Sequence, residues 1–257
     1  MLWIQKRNTP PQMRREVARI KSMPEWKKIL EGDSRAIREN GFDLLSKDII
    51  RRSLLEEQHG LCAYCMKRLK DDGRHTTIEH LVPLSRDKEK SLDYRNMAAV
   101  CKGGADVELQ EGESRVLCCD GSKEDEEELS LSPYSHKMMD EICYHKDGRI
   151  YFHGRGEWTK EQKNRIEMEI NQILCLNGRL YEDGSMREDT ATMLVKGRKD
   201  AYKNAEKILE RLAAKNKLTS SHLESVIKRL EDAQERQEFA GVLLFVLKRK
   251  KRRMENA

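Results

Sequence analysis

Thr77-Ile78-Glu79-His80-Leu81-Val82-Pro83-Leu84 lies between two groups of cysteines, and that placement decides how the rest of the chain is read. Upstream stands Cys62-Ala63-Tyr64-Cys65. Downstream come Asn96, then Cys101, then Cys118-Cys119-Asp120-Gly121-Ser122-Lys123. Thr76, Thr77 and Ile78 give residues 74–81 a strand signal, and residues 96–100 form a second short apolar run. A helix is expected over residues 120–129, because acidic residues in a first turn suit the positive end of the helix dipole. Residues 102–117, with Gly103-Gly104 and Gly112, read as an inserted loop.

A C-x-x-C knuckle presents two thiolates from one tight turn, and four thiolates hold Zn²⁺ tetrahedrally. The expected structural zinc ligands are Cys62, Cys65, Cys101 and Cys119, with Cys118 the alternative for the fourth. A metal staple of this kind replaces the core that so small a unit lacks. His80 titrates near neutrality when unperturbed, which suits a general base. Glu79 and Asp120 offer hard oxygen ligands for a catalytic Mg²⁺ or Mn²⁺ ion. Asn96 is expected to hold His80 or the intervening loop through its amide, and Lys123 to contact phosphate. The catalytic set is therefore Glu79, His80, Asn96, Asp120 and Lys123. The chemistry expected of it is metal-dependent phosphodiester hydrolysis leaving a 5′ phosphate and a 3′ hydroxyl.

The bulk properties are compatible with this. The 257 residues are 37% charged and 37% hydrophobic, with a mean hydropathy of −0.83, a helix-rich composition with a modest core. A net charge of +5 permits a polyanionic partner without demanding one. The longest apolar run, residues 239–247, is too short to cross a bilayer, and the start of the chain turns polar too soon for a secretory signal. A cytoplasmic, reducing setting is expected, in which the seven cysteines bind metal or pack instead of forming disulfides.

Outside the centre, three regions are expected. Residues 1–50 form a helical, partner-docking segment, residues 51–135 the zinc-stapled nuclease core, and residues 136–257 a hairpin followed by helices. Asp147-Gly148 marks the hairpin turn within residues 142–152. Thr159 with Gln162 forms a capping box for a helix over residues 159–176, and another helix spans 193–215 with Gly197 interrupting it. Ser220 or Ser221 is expected to cap a last helix whose apolar face extends to Leu247. Lys248 to Arg253 are six consecutive basic residues, read either as a phosphate-binding tail or as a solvated helix end. The fold class expected is mainly α with a small ββα-metal nuclease core.

These residues resemble the HNH endonuclease family: a C-x-x-C knuckle at Cys62/Cys65, an acid-His pair at Glu79-His80 with Pro83 nearby, Asn96, and Cys101/Cys119 leading to Asp120 and Lys123. Two positions depart from the commoner pattern. Glu79 stands where Asp is more frequent, and Asp120 where His or Asn is, but both keep an oxygen ligand. The 17 residues between Cys101 and Cys119 replace a short second knuckle. Ile4-Gln5-Lys6, Pro10-Pro11, Leu131-Ser132-Pro133, the hairpin and Ile173-Leu174-Cys175-Leu176-Asn177-Gly178-Arg179 further resemble the PtuB nuclease subunits of Septu-type antiphage systems. That resemblance implies a complex with a PtuA-like ABC-type ATPase and cleavage of nucleic acid, DNA before RNA. Similar proteins are effectors in some retron systems, which allows a tRNA-cleaving effector with a reverse transcriptase and its RNA–DNA as partners. A non-catalytic zinc module binding nucleic acid or a partner, and a free-standing nuclease, are the other readings. Docking on the ATPase is expected through residues 1–50 and the helices after about residue 155, with Trp3 and Trp26 as anchors.

Overall fold

The computed structural model describes residues 1–113, 115–124, 128–187 and 189–256. Helices dominate the described residues: α1 (Pro11–Lys21), α2 (Trp26–Glu31), α3 (Ser34–Asn40), α4 (Lys47–Glu57), α5 (His136–Met139), α6 (Lys160–Met168), α7 (Leu194–Ala214), α8 (Ser220–Glu231) and α9 (Ala240–Glu255). Three two-stranded antiparallel sheets complete it: β1 (Thr76–His80) with β2 (Met97–Cys101), β3 (Ile142–Tyr144) with β4 (Ile150–Phe152), and β5 (Arg179–Leu180) with β6 (Met186–Arg187). No helix among the described residues is long and apolar enough to cross a membrane.

The β1–β2 sheet is small, so its apolar face depends on other elements for cover. Met97, Ala98, Ala99 and Val100 are buried, and α4 packs across the sheet through Ile50 and Leu54. Residues 1–50 belong to the same core: Met13, Ile20, Trp26, Phe42 and Leu45 join one apolar cluster with β2 and the cysteine knuckle. Trp26 is 6% exposed and Trp3 40%, so of the two tryptophans expected as docking anchors only Trp3 is available on the surface. The correction has a plain cause. Helix α4 covers the sheet, α1 packs on α4, and Trp26 of α2 lies against Gly41 at the end of α3, so its ring is spent inside the same core.

Glu57 on α4 seals this packing. Its carboxylate accepts from Lys6 Nζ (3.0 Å), Arg7 N (3.1 Å) and Tyr94 Oη (2.8 Å), and its side chain is fully enclosed. Desolvation pulls the Lys6 ammonium down to about 8, with Glu57 opposing the shift.

Local signals play out unevenly. The β3–β4 hairpin turns at Asp147-Gly148, and Thr159 with Gln162 forms both bonds of a capping box on α6. The helix expected through residue 176 stops short, because a π-turn over Glu169–Ile173 ends it. Helix α7 runs through Gly197 uninterrupted. A Cβ there would lie 2.3 Å from the Phe239 ring, so the glycine serves close packing. Thr219 caps α8, its Oγ1 accepting from His222 N, in place of the serines that follow. The last apolar face is split between α8 and α9, which pack on each other through Leu223, Ile227, Leu244 and Leu247. The helix expected over residues 120–129 is a 3₁₀ turn at Cys119–Gly121 among the described residues, while residues 125–127 lie outside them.

Arg198 on α7 is 1% exposed. Its Nε donates to Gly148 O (2.7 Å) and its Nη2 to Leu176 O (2.6 Å) and Asn177 Oδ1 (3.1 Å). Asn177 also accepts from Ile150 N and donates to Ile150 O, so one Arg–Asn pair fastens the hairpin, the loop after α6 and α7 together.

Candidate functional site

Gly60, with φ +75, ends α4 and turns the chain into the cysteine knuckle, where its N–H donates to Leu55 O. Cys62 N donates to Lys67 O (2.9 Å) and Met66 N to Cys62 O (3.0 Å), a turn that points both thiols inward. Cys101 closes β2. Cys119 opens the 3₁₀ turn with φ +52. The Sγ atoms of Cys62, Cys65, Cys101 and Cys119 all lie within 4.8 Å of one another, with Cys65–Cys101 at 3.6 Å and Cys62–Cys119 at 4.0 Å. A tetrahedron with metal–sulfur bonds of about 2.3 Å has sulfur–sulfur edges of about 3.8 Å, so these residues fit Zn²⁺. Cys118 is buried and hydrogen-bonded to Cys101 but is not one of the four. Charge points the same way. Burial pushes the Cys119 thiol up and a hydrogen bond to Cys101 pushes Cys65 up, while bonds led by Cys118 draw Cys101 down. Ionising all four thiols in this space would need a bound cation.

Gly103 brings the fourth ligand back. Its φ is +63, and a Cβ there would lie 1.7 Å from Cys118 O, so only glycine fits. Across this contact Cys118 N donates to Gly103 O (3.0 Å), closing the inserted loop at its base.

On β1, successive side chains leave opposite faces of the sheet. Glu79 turns toward the knuckle. Its Oε1 accepts from Lys123 Nζ at 2.6 Å and from the Tyr64 hydroxyl at 3.5 Å, and the ion pair is nearly enclosed, with side-chain exposures of 6% for Lys123 and 10% for Glu79. Burial nonetheless holds the Glu79 carboxyl above the usual range. Lys123 opposes that shift and the Asp120 charge adds to it. Asp120 is thus within electrostatic reach of Glu79.

His80 turns the other way, edge-on to the Phe42 ring at 4.6 Å. Its Nε2 donates to Ser91 O (2.9 Å), which fixes the tautomer and leaves Nδ1 as the proton acceptor. Burial pushes its pKa down to about 4, the Ser91 carbonyl opposing, and the charges of Arg38, Lys47 and Lys123 add to the fall. At neutral pH the ring is therefore unprotonated. Lys123 acts electrostatically on both Glu79 and His80, which puts all three groups at the same end of β1.

Asn96 has its amide inside the β1–β2 connection. Its Oδ1 accepts from Val82 N (2.8 Å), and its Nδ2 donates to Val82 O (2.9 Å) and Lys90 O (3.3 Å). Leu81 N donates to Asn96 O. The loop that carries Ser91 O under His80 is thereby fixed at both ends. Sequence reasoning missed Tyr64, Ser91 and Phe42. Tyr64 had a signal, because its position inside the C-x-x-C knuckle ties its backbone to the zinc site. The other two act through a carbonyl and a ring edge, and neither leaves a mark in residue type.

Two comparisons agree with this geometry. Residues 62–103 match the family model described as HNH endonuclease. A stretch of 64 residues is 30% identical to the Septu protein PtuB of Bacillus thuringiensis, covering 25% of this chain and 25% of that protein, so the match spans a quarter of the relative's length. Residues 62–103 thus form an HNH endonuclease domain by that family model. The family match includes Cys62, Cys65, Glu79, His80, Asn96 and Cys101 and stops before Cys119, Asp120 and Lys123, which join the site through the fold.

Proposed function

We propose that this chain is a metal-dependent endonuclease, DNA its favoured substrate, acting as the effector subunit of an antiphage defence complex with a PtuA-like ABC-type ATPase. The observation that carries the nuclease reading is the enclosed Glu79–Lys123 ion pair next to a four-thiol site, with Asp120 in electrostatic reach of Glu79 and with His80, on the opposite face of β1, in electrostatic reach of Lys123. Glu79 and Asp120 would hold Mg²⁺ or Mn²⁺, since carboxylates and waters are the ligands such ions take. When bound, the ion supplies positive charge to the scissile phosphate and to the leaving 3′ oxygen. His80 takes the proton of the attacking water on Nδ1, and its Nε2–H bond to Ser91 O steadies the imidazolium that results. Asn96 positions that carbonyl by pinning the loop. Lys123, once Glu79 turns to the ion, is free to contact the phosphate. Tyr64, inside the knuckle, reaches the Glu79 carboxylate, so a zinc held by the four thiols would help keep a catalytic group in place.

Exposed Trp3, packed edge-on against His136 at 4.8 Å, is the surface aromatic offered to the ATPase. Co-purification of the chain with its genomic neighbours, followed by incubation with plasmid DNA and total cellular RNA in Mg²⁺, tests the proposal and identifies the substrate. His80→Ala should reduce cleavage by about 10²- to 10⁴-fold while zinc content and partner binding persist. Undiminished cutting by that variant would leave a zinc-stapled binding module as the better reading.

A further inference from the structure

The fold uses the basic run Lys248 to Arg253 unevenly. Lys248 pairs with Glu231 at 2.6 Å, and Lys251 pairs with Glu224 and with Glu255. Those lysines are consumed in joining α9 to α8 and in pairing along α9. Arg249 and Arg252 are exposed and, among the described residues, stand in no ion pair. They continue the helical spacing of Phe245, whose ring meets Tyr144 of β3 at 5.6 Å, so they extend the face of α9 that packs on the hairpin.

The hairpin's outer face is not an ordinary solvated one. Cys143 pairs with Tyr151 across the strands, and His145 follows on the same face. The His145 and Tyr151 rings are stacked, 4.3 Å between centroids and 25° between planes, and His153 meets Tyr151 edge-on at 6.4 Å. Arg249 lies within electrostatic reach of Tyr151, and Arg252 of Cys143. The acidic groups nearby are already engaged: Glu141 with Arg155, Glu206 with Lys146, and Asp147 with Arg149. What remains is a stacked ring pair with Arg249 in electrostatic reach of Tyr151, and Arg252 in reach of the cross-strand Cys143.

We infer that this surface, formed by His145 and Tyr151 of the hairpin with Arg249 and Arg252 of α9, binds a single-stranded segment of nucleic acid outside the nuclease centre. Arginine forks suit phosphate oxygens, and a stacked ring pair, His145 exposed and Tyr151 half-buried, offers a stacking platform for any base. The inference rests on the nuclease reading, because it supplies that reading with a means of holding a strand.

The test uses full-length chain carrying His80→Ala, so that nothing is cut, with fluorescein-labelled 20-nucleotide dT and U oligomers followed by anisotropy across a salt series. Arg249→Gln with Arg252→Gln should lower the slope of log affinity against log salt by about 1.4, at about 0.7 for each phosphate contact on a single strand. Tyr151→Ala should weaken binding by roughly tenfold, in the range of one lost stacking contact. Arg14→Gln with Arg15→Gln, exposed on α1, removes the same charge elsewhere and should change the slope less. Arg14, Arg15, Arg249 and Arg252 are exposed and Tyr151 is half-buried, and zinc content and circular dichroism confirm that every variant, His80→Ala included, stays intact. Equal losses from both arginine pairs, or unchanged binding by the hairpin and α9 variants, would overturn the inference while leaving the nuclease reading standing. The same variants losing ATPase co-purification with unchanged oligomer binding would overturn it too, and make the face a protein interface. A parent chain that neither binds oligomers nor, with His80 restored, cuts any nucleic acid removes the nuclease reading itself.

Discussion

Lys123→Met separates the electrostatics of the centre from its packing. Lys123 is the partner of a carboxylate that burial already holds above its ordinary range, so removing it leaves Glu79 two choices. It stays ionised without a partner, at about 3–5 kcal/mol for a broken buried pair, or it takes up a proton. Protonation sets the ceiling. At pH 7 it costs about 3.4 kcal/mol, at about 1.36 kcal/mol for each pH unit above the ordinary value of 4.5. For a chain of this size that lowers Tm by roughly 7–14 °C, and at pH 5.5, where protonation costs about 1.4 kcal/mol, by roughly 3–6 °C. The sign follows from linkage. The folded-state pKa of Glu79, already above its unfolded value in the parent, rises further in the variant, so the added loss of stability is absent below pH 4.5 and grows as pH rises toward the folded value.

The assay is differential scanning fluorimetry at both pH values, in chelator that spares the zinc site and again with added Mn²⁺. If Glu79 and Asp120 bind the catalytic ion, Mn²⁺ should raise the Tm of Lys123→Met more than that of the parent, where the ion must first displace the lysine. A deficit of equal size at pH 7 and pH 5.5 would mean that packing was lost and the charge argument is wrong. Equal gains from Mn²⁺ in both proteins would remove Glu79 as an ion ligand.

Elemental analysis should find about one zinc per chain, lost on Cys62→Ser, Cys101→Ser or Cys119→Ser and kept on Cys118→Ser; zinc-free folded protein, or loss on Cys118→Ser alone, contradicts the four-thiol assignment. Urea unfolding at pH 7 and pH 4.5 should show His80 costing up to about 3 kcal/mol in acid, because its folded pKa near 4 lies below the unfolded 6.5 and the unfolded chain takes up the proton first. His80→Gln should flatten that acid limb, and an unchanged limb would mean that His80 is not buried neutral. Trp3→Ala should weaken capture of the ATPase with Tm nearly unchanged, whereas deleting residues 1–30 should unfold the chain by removing Met13, Ile20 and Trp26 from its core; a stable truncated protein would show that residues 1–30 are separable after all.

The parts of this molecule legible in the sequence are those whose partners are near in the chain or whose chemistry is unusual. Cys62 and Cys65 share one turn, Glu79 and His80 one strand, Asp147 and Gly148 one hairpin, and Thr159 reaches only to Gln162. The hidden parts depend on distant packing. Nothing local marks Trp26 as core, Arg198 as the clasp of three segments, or α8 and α9 as separate helices, since each is decided by what lies across the interior.

Lys123 belongs to both classes, and the reason bears on the whole centre. Its type and place after the Cys118-Cys119 pair made it a candidate, yet it meets Glu79 across 44 positions of chain, with an irregular insertion between. That insertion could be read as weakening the motif. The structure removes the objection at the base of the loop, where Gly103 and Cys118 come into contact and return the chain to Cys119. Loop closure entropy grows only slowly, about 0.6 kcal/mol for each doubling of length, which is small beside the free energy of a structural zinc site at about 10–16 kcal/mol. A metal centre can therefore accept a long insertion without moving a ligand, provided that the two ends meet where only glycine allows the approach. The order of ligands in a sequence is then better evidence for such a site than the spacing between them.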